Sequence, residues 1–316
     1  MLRGFWRVAT LAIVLGLGLS LVACGQVGKL QAKRAFKDGN VQYAQQEYKR
    51  AAVFYEEAIA NDPEVQYAYF FLANSYDNLY KPSRKGEPEN DAYLAKAIQF
   101  YEKSAQVEQD PTYKKRAMEY LVAAYGPDKM NDPTKQKPLV DQMIQLDPQD
   151  VTNYFALAKI NEDEGDYEKA EEVLNRAKEA RPNDPQVYLQ LAGFYNRQEE
   201  FEKTIEALTQ RAALEPNNPE AYYTISTYYW DKAYRDFRLK DAEKKDFVLK
   251  GIEQVDKAIA LKSDYMEALT YKNLLLRLEA NLEKDVAKQQ ALIKEADKLR
   301  DEAIELKKKK TAGVIK

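Results

Sequence analysis

The chain contains no histidine, and its one cysteine, Cys24, stands close to the amino terminus. Without histidine the commonest general base of enzyme catalysis is missing. A lone cysteine excludes an internal disulfide and any cysteine-rich metal site. Glycine and proline are scarce, at 12 each in 316 residues, while Ala, Leu, Glu, Lys and Gln abound, a balance that favours helix over strand. Gly-rich phosphate loops, nucleophile-elbow patterns and EF-hand spacings are absent. Acid pairs such as Asp163/Glu164 read as solvated surface charge rather than a glycosidase pair. Charge of either sign is not in excess: the formal value of −3 includes Arg3 and Arg7, which belong to a leader. Nothing there points to nucleic acid. With 45% hydrophobic and 31% charged residues, the chain is neither disordered nor a multi-span membrane protein. No enzymatic activity, cofactor or metal is expected.

What is present begins with MLRGFWRVATLAIVLGLGLSLVAC. Two arginines precede an apolar run from Val8 to Val22, which ends on small residues in the layout of a secretory signal. The run is shorter than the ~20 residues that a spanning helix prefers, which disfavours a retained membrane span. Its last residues, Leu21-Val22-Ala23-Cys24, resemble the bacterial lipobox. That resemblance implies a diacylglyceryl group on the Cys24 sulfur, cleavage of 1–23 and a mature chain starting at Cys24. The competing reading is a plain signal peptide with an incidental cysteine. Two or more acyl chains make a stable anchor where a single one binds marginally. The expectation is a lipid-anchored protein of the cell envelope, facing the periplasm. Gly25 rather than Asp after the cysteine favours the outer membrane, by similarity to proteobacterial sorting.

Beyond a short lipidated linker at 24–31, the chain is periodic. Pro148, Pro182 and Pro216 stand 34 residues apart, each followed by a polar pair. Within Val151–Asp184, Tyr154, Leu157 and Ala158 share one face of a first helix, and Gly165-Asp166 mark a turn. Tyr167, Ala170, Leu174 and Ala177 form the facing stripe of a second helix. These residues resemble the tetratricopeptide repeat (TPR), whose period is 34. The resemblance implies an all-α helix–turn–helix solenoid of about six or seven repeats over 32–284, near 32–65, 66–111, 117–150, 151–184, 185–218 and 219–265, with a last pair starting at 266. The second repeat is lengthened by a polar loop around Lys81–Asp91. In the third, Gly126-Pro127 ends the first helix early and the second is short, around Pro138–Leu146. Trp230–Lys250 reads as extension of both helices of the sixth pair, with a turn near Lys240-Asp241. Over 285–316, Leu292, Ala296, Leu299, Ala303 and Leu306 fit a capping helix better than a coiled-coil seam, followed by a basic tail at Lys307–Lys310.

Small residues in such repeats let paired helices approach, and stability comes from stacking rather than from any single pair. The resemblance also implies that first helices line a concave, partner-binding groove. Carried over position by position, that face holds Tyr67, Phe70, Asn74 and Asp77, then Phe155 and Lys159, then Leu189, Asn196 and Arg197, then Tyr223, Thr227 and Trp230. Aromatics bury much area at little entropy cost, which suits a surface that binds proteins or peptides. Lys159 and Arg197 stand alone, so the carboxylate-clamping cluster of chaperone-binding TPR proteins is not assembled. The reading is a membrane-anchored, non-catalytic scaffold for envelope proteins or peptides. The competing class is a tethered regulator of cell-wall enzymes, or a glycan- or small-ligand-binding module.

Overall fold

The structure, a computed structural model, describes residues 26–312. Cys24 and the leader lie outside the described residues. Among the described residues the chain is helical throughout, with no strand. It divides into two compact units, up to Ile160 and from Asn161.

The first unit contains α1 (26–44), α2 (Tyr48–Asn61), α3 (Ala68–Leu79), α4 (Pro88–Val107), α5 (Pro111–Tyr125), α6 (Pro133–Leu146) and most of α7 (Val151–Asp163). The second contains the end of α7, then α8 (Tyr167–Ala180), α9 (Pro185–Arg197), α10 (Phe201–Leu214), α11 (Pro219–Arg235), α12 (Asp241–Leu261), α13 (Met266–Leu282) and α14 (Val286–Thr311). Within each unit the helices pack as antiparallel neighbours in chain order, α2 on α3, α3 on α4, α4 on α5, and again α9 on α10, α11 on α12, α12 on α13, α13 on α14. First helices also meet directly, α11 against α13. These are the paired and stacked helices of a TPR-type solenoid.

Recurrent local chemistry sets the pairs. Asp110, Asp184 and Asn218 accept the N–H two residues on, each before a proline at the first helical position, where a missing N–H does no harm. The phenols of Tyr154, Tyr188 and Tyr222 each donate to a proline carbonyl six residues earlier, Pro148, Pro182 and Pro216, at 3.2, 2.8 and 3.3 Å. This latch explains why tyrosine and proline recur together every 34 residues. Small residues sit at zero exposure where helices touch, Ala51, Ala73, Ala97, Ala117, Ala170 and Ala177 among them. Gly39 is tighter still: a Cβ there would lie 2.7 Å from the ring of Tyr55, which is fully buried and held through its hydroxyl by Asn40 at 2.8 Å. Capping falls to α14, whose Ala296, Leu299 and Ala303 are buried in one cluster with Leu269 and Leu276 of α13.

The structure departs from the sequence reading at four places. Residues 26–31 are helical rather than a linker, because Gly28 lets α1 close onto the carbonyl of Asn61. Lys81–Asp91 is not all loop: a 3-10 turn at Pro82–Arg84 leads straight into α4 at Pro88. Asn90, 3% exposed, holds this segment by bonding both the N–H (2.8 Å) and the carbonyl (3.1 Å) of Lys81. The second helix of the third pair is a full 14 residues and carries Pro138 inside, since Asp132 and Pro133 start it earlier. Tyr167 is 47% exposed at the start of α8, so Val173, buried beside Leu174, takes its place in the stripe.

The junction between α13 and α14 carries a pH dependence. Glu283 accepts the backbone N–H of Asp285 (3.1 Å) and the ammonium of Lys245 (3.2 Å), which hold its carboxyl down at about 2. A carboxylate depressed in the folded state stabilises fully above its unfolded value of ~4.3, and that contribution disappears as pH falls through the folded value. Unfolding of the second unit followed from neutral pH to about pH 2 should therefore lose stability across that window. Glu283→Gln should flatten the loss; an unchanged slope would remove Glu283 as its source.

Candidate functional site

In the first unit the first helices α1, α3 and α5 bring an aromatic layer together. Phe71 takes Tyr43 and Phe36 edge-on at 5.5 and 6.0 Å, and Phe70 meets Tyr113 and Tyr120 at 5.2 and 5.7 Å. Tyr120, 37% exposed, stacks on the buried Tyr101 at 5.2 Å. Asn74 lies at the centre of a polar network inside this layer. Its amide donates to the Tyr101 hydroxyl at 3.0 Å, and its carbonyl accepts from Tyr43 and, at 2.9 Å, from Asn78. Burial pushes the phenols of Tyr43 and Tyr101 up. Asp77 is ion-paired with Lys129.

Of the groove candidates in this unit, Phe70 and Asn74 are therefore interior, at 5% and 4% exposure. They shape the face from beneath and do not reach a partner. The α5 helix supplies Tyr113 and Tyr120, which cover Phe70, while Asn74 is enclosed by its partners Tyr43, Tyr101 and Asn78. Tyr67 is half-buried with φ +68, a left-handed conformation costly for a bulky residue. Glu108 holds it there by accepting its N–H at 2.9 Å, and its ring lies 4.4 Å from Tyr113. Phe155 is half-buried and Lys159 exposed on α7.

In the second unit the seam between α11 and α13 carries five rings in a row. Tyr265 meets Tyr223 at 5.2 Å, Tyr223 meets Tyr271 at 5.4 Å, and Tyr271 meets Trp230 at 5.6 Å. Trp230 then stacks on Tyr234 at 4.9 Å and 11°. Tyr223 and Trp230 remain half-buried, and Tyr234 is 62% exposed. Burial, with Tyr223 next to it, pushes Tyr265 up to about 12. Such a row offers a long apolar strip edged by hydroxyls, and each ring pair contributes about 0.5–1.5 kcal/mol beyond burial. Thr227 spends its hydroxyl on the Thr224 carbonyl at 2.7 Å. Arg197 is committed to Glu162 through two bonds of 2.6 and 2.9 Å. Both contacts stiffen the face. Leu189 is half-buried on α9.

Sequence reasoning missed Tyr234 and Tyr271. Tyr234 follows Trp230 by four residues, the spacing that stacks side chains on one helix face, so this signal was there to be read. Nearby, a cleft of about 460 Å³ is lined by Asn196, Phe201, Tyr228, Lys232 and Phe237. The turn between α11 and α12 exposes Phe237 by 88%. Asp236 fixes that turn: Arg238 at 2.9 Å and Lys232 at 3.0 Å hold its carboxyl well below the usual range. Among the described residues no cluster of His, Cys, Asp and Glu could hold a metal ion, and no helix is long and apolar enough to cross a membrane.

Residues 131–194 match the sequence profile of the tetratricopeptide repeat. Among solved structures, the C-terminal part of a TPR repeat-containing protein from Cytophaga hutchinsonii is similar, at 19% identity and a TM-score of 0.54, over 86% of this chain and 98% of that one. A tetratricopeptide repeat protein from Parabacteroides merdae aligns at 9% identity and a TM-score of 0.44, over 84% and 99%. MamA from Desulfovibrio magneticus RS-1 aligns at 15% and 0.40, over 62% and 96%. No protein of curated function matches the sequence. The chain carries tetratricopeptide repeats, and its helices are paired and stacked as in that fold.

Proposed function

We propose that this chain is a non-catalytic scaffold of the bacterial cell envelope, tethered through a lipid on Cys24 and facing the periplasm from the outer membrane, that holds partner proteins or peptides on its first-helix faces. The observation that carries the binding half is the row from Tyr265 to Tyr234, five rings of which the outermost are left half-covered or exposed. Repeats of this kind are interaction modules, and large, stiff aromatic side chains with polar tips are what binding surfaces enrich. The tether half is supported by the order of the leader: arginines, an apolar run, then Leu-Val-Ala-Cys.

Labelled palmitate should enter the wild-type chain and not Cys24→Ser, and the wild type purified from detergent-solubilised envelope should bring a protein companion with it. Labelling that persists in Cys24→Ser would refute the anchor. A wild-type preparation that repeatedly arrives alone would refute the scaffold and turn attention to glycans or small ligands.

A further inference from the structure

We propose that α1 lays its outward face on an anionic phospholipid surface, so that the first repeat lies along the membrane that Cys24 tethers it to. The proposal deepens the tethered-scaffold reading and rests on it. The inward face of α1 is accounted for by Gly28 against Asn61, Ala32 and Ala35 buried, and Phe36 against the rings of Tyr55 and Phe71. Among the described residues nothing packs on the opposite face. Val27 is 52% exposed, Leu30 68% and Val41 47%, and Arg34 and Lys37 lie between them on the same stripe, with Lys29 and Lys33 at its edge.

A capped solenoid end is ordinarily polar, because exposed aliphatic side chains there gain nothing in water. Here they are interleaved with cations. Lys29, Lys33, Arg34 and Lys37 face the single carboxylate of Asp38 along 26–44, in a chain whose formal charge is −3. None of the four forms an ion pair with another described residue. Aliphatic side chains among basic ones, on one face of a helix, are the composition of an interfacial helix: the apolar groups enter the acyl boundary while the cations meet lipid phosphates. Charge chooses lipid over a neutral groove, and position agrees, since the helix is under way two residues after Cys24. Val41 lies ~22 Å along the helix axis from the first described residue. A tether alone does not bring it to the surface; a helix lying flat does.

The test uses the acylated full-length protein, in which the Cys24 sulfur is blocked, with Val41→Cys carrying an environment-sensitive fluorophore. Vesicles are phosphatidylcholine, with or without phosphatidylglycerol, and some contain a lipid-borne quencher. The protein is expected to sediment with both kinds, and the dye to shift blue and be quenched only where phosphatidylglycerol is present. Each basic residue near an anionic leaflet is worth roughly fivefold in partitioning, so Lys33→Glu/Arg34→Glu/Lys37→Glu should lower the docked-to-free ratio by roughly a hundredfold. These side chains are exposed, and circular dichroism checks that the variant folds. A dye that stays in water on both kinds of vesicle, in a protein that sediments with both, overturns the docking of α1 and leaves the anchor standing. Burial of the dye that ignores phosphatidylglycerol, or survives the charge reversal, also overturns it. Failure to sediment with phosphatidylcholine defeats the anchor itself, and this inference with it.

Discussion

Trp230→Ala/Tyr234→Ala should weaken the captured partner by at least about a hundredfold, since aromatic anchors of an interface are worth about 2 kcal/mol or more each. The two rings stack on each other, so their separate losses will not add. Trp230 also packs against the cluster of Val248, Val255 and Leu275, so its removal costs the second unit stability as well. Tyr234→Ala separates the two effects. That side chain is 62% exposed, so its loss should cost little beyond its ring pair with Trp230, about 0.5–1.5 kcal/mol. Recovery of the partner by Tyr234→Ala should fall while its melting temperature drops by far less than that of Trp230→Ala. Unchanged recovery in Tyr234→Ala and in Trp230→Phe together would move the contact off the α11/α13 seam, with the Phe237 turn as the next surface to test.

Tyr101→Ala should cost the first unit about 3–5 kcal/mol, as for other fully buried aromatic rings. The ring is at zero exposure, stacked on Tyr120 and tilted against Phe70. Tyr101→Phe keeps the ring and removes the acceptor for the Asn74 amide, which is itself buried. Leaving that N–H unsatisfied should cost about 1–3 kcal/mol. Urea unfolding of the two variants, followed by a probe in the first unit, measures both. If Tyr101→Phe matches the wild type, the Asn74 network adds nothing to the core and the aromatic layer alone carries it. The experiment also bears on function, because this network fixes the floor beneath the exposed edge of Tyr120.

The architecture was legible because its determinants are local and repeated. The small residues and the aromatic i, i+3, i+4 spacings act within one pair of helices, and Pro148, Pro182 and Pro216 on the short turn to the next. The long sixth pair was legible for the same reason, as Trp230–Lys250 lacks turn formers except at its middle. What escaped depends on contacts remote in sequence. Nothing in Lys81–Asp91 announces that Asn90 will bond the backbone of Lys81 and pull Pro88 into a helix. The covering of Phe70 depends on Tyr113 and Tyr120, about forty to fifty residues further on in a pair whose sequence fits the repeat poorly, and that of Asn74 on Tyr43 and Tyr101, about thirty residues away on either side. Positional transfer therefore picked residues of the first helices and misjudged the depth of Phe70 and Asn74. Tyr67 was placed on it without sign of the left-handed backbone that Glu108 maintains.

The tyrosine-to-proline latch has a consequence for the order in which this chain assembles. Each bond spans six residues, from the end of one repeat to the first helix of the next, so it closes with a small loop. On the envelope reading, a chain delivered N-terminus first across the inner membrane can set each turn as soon as the next first helix emerges. Successive helices then dock on a neighbour already in place, and few long-range searches are left for the finished chain. Growth by accretion of this kind leaves the outer face of α13 open until α14 docks on it.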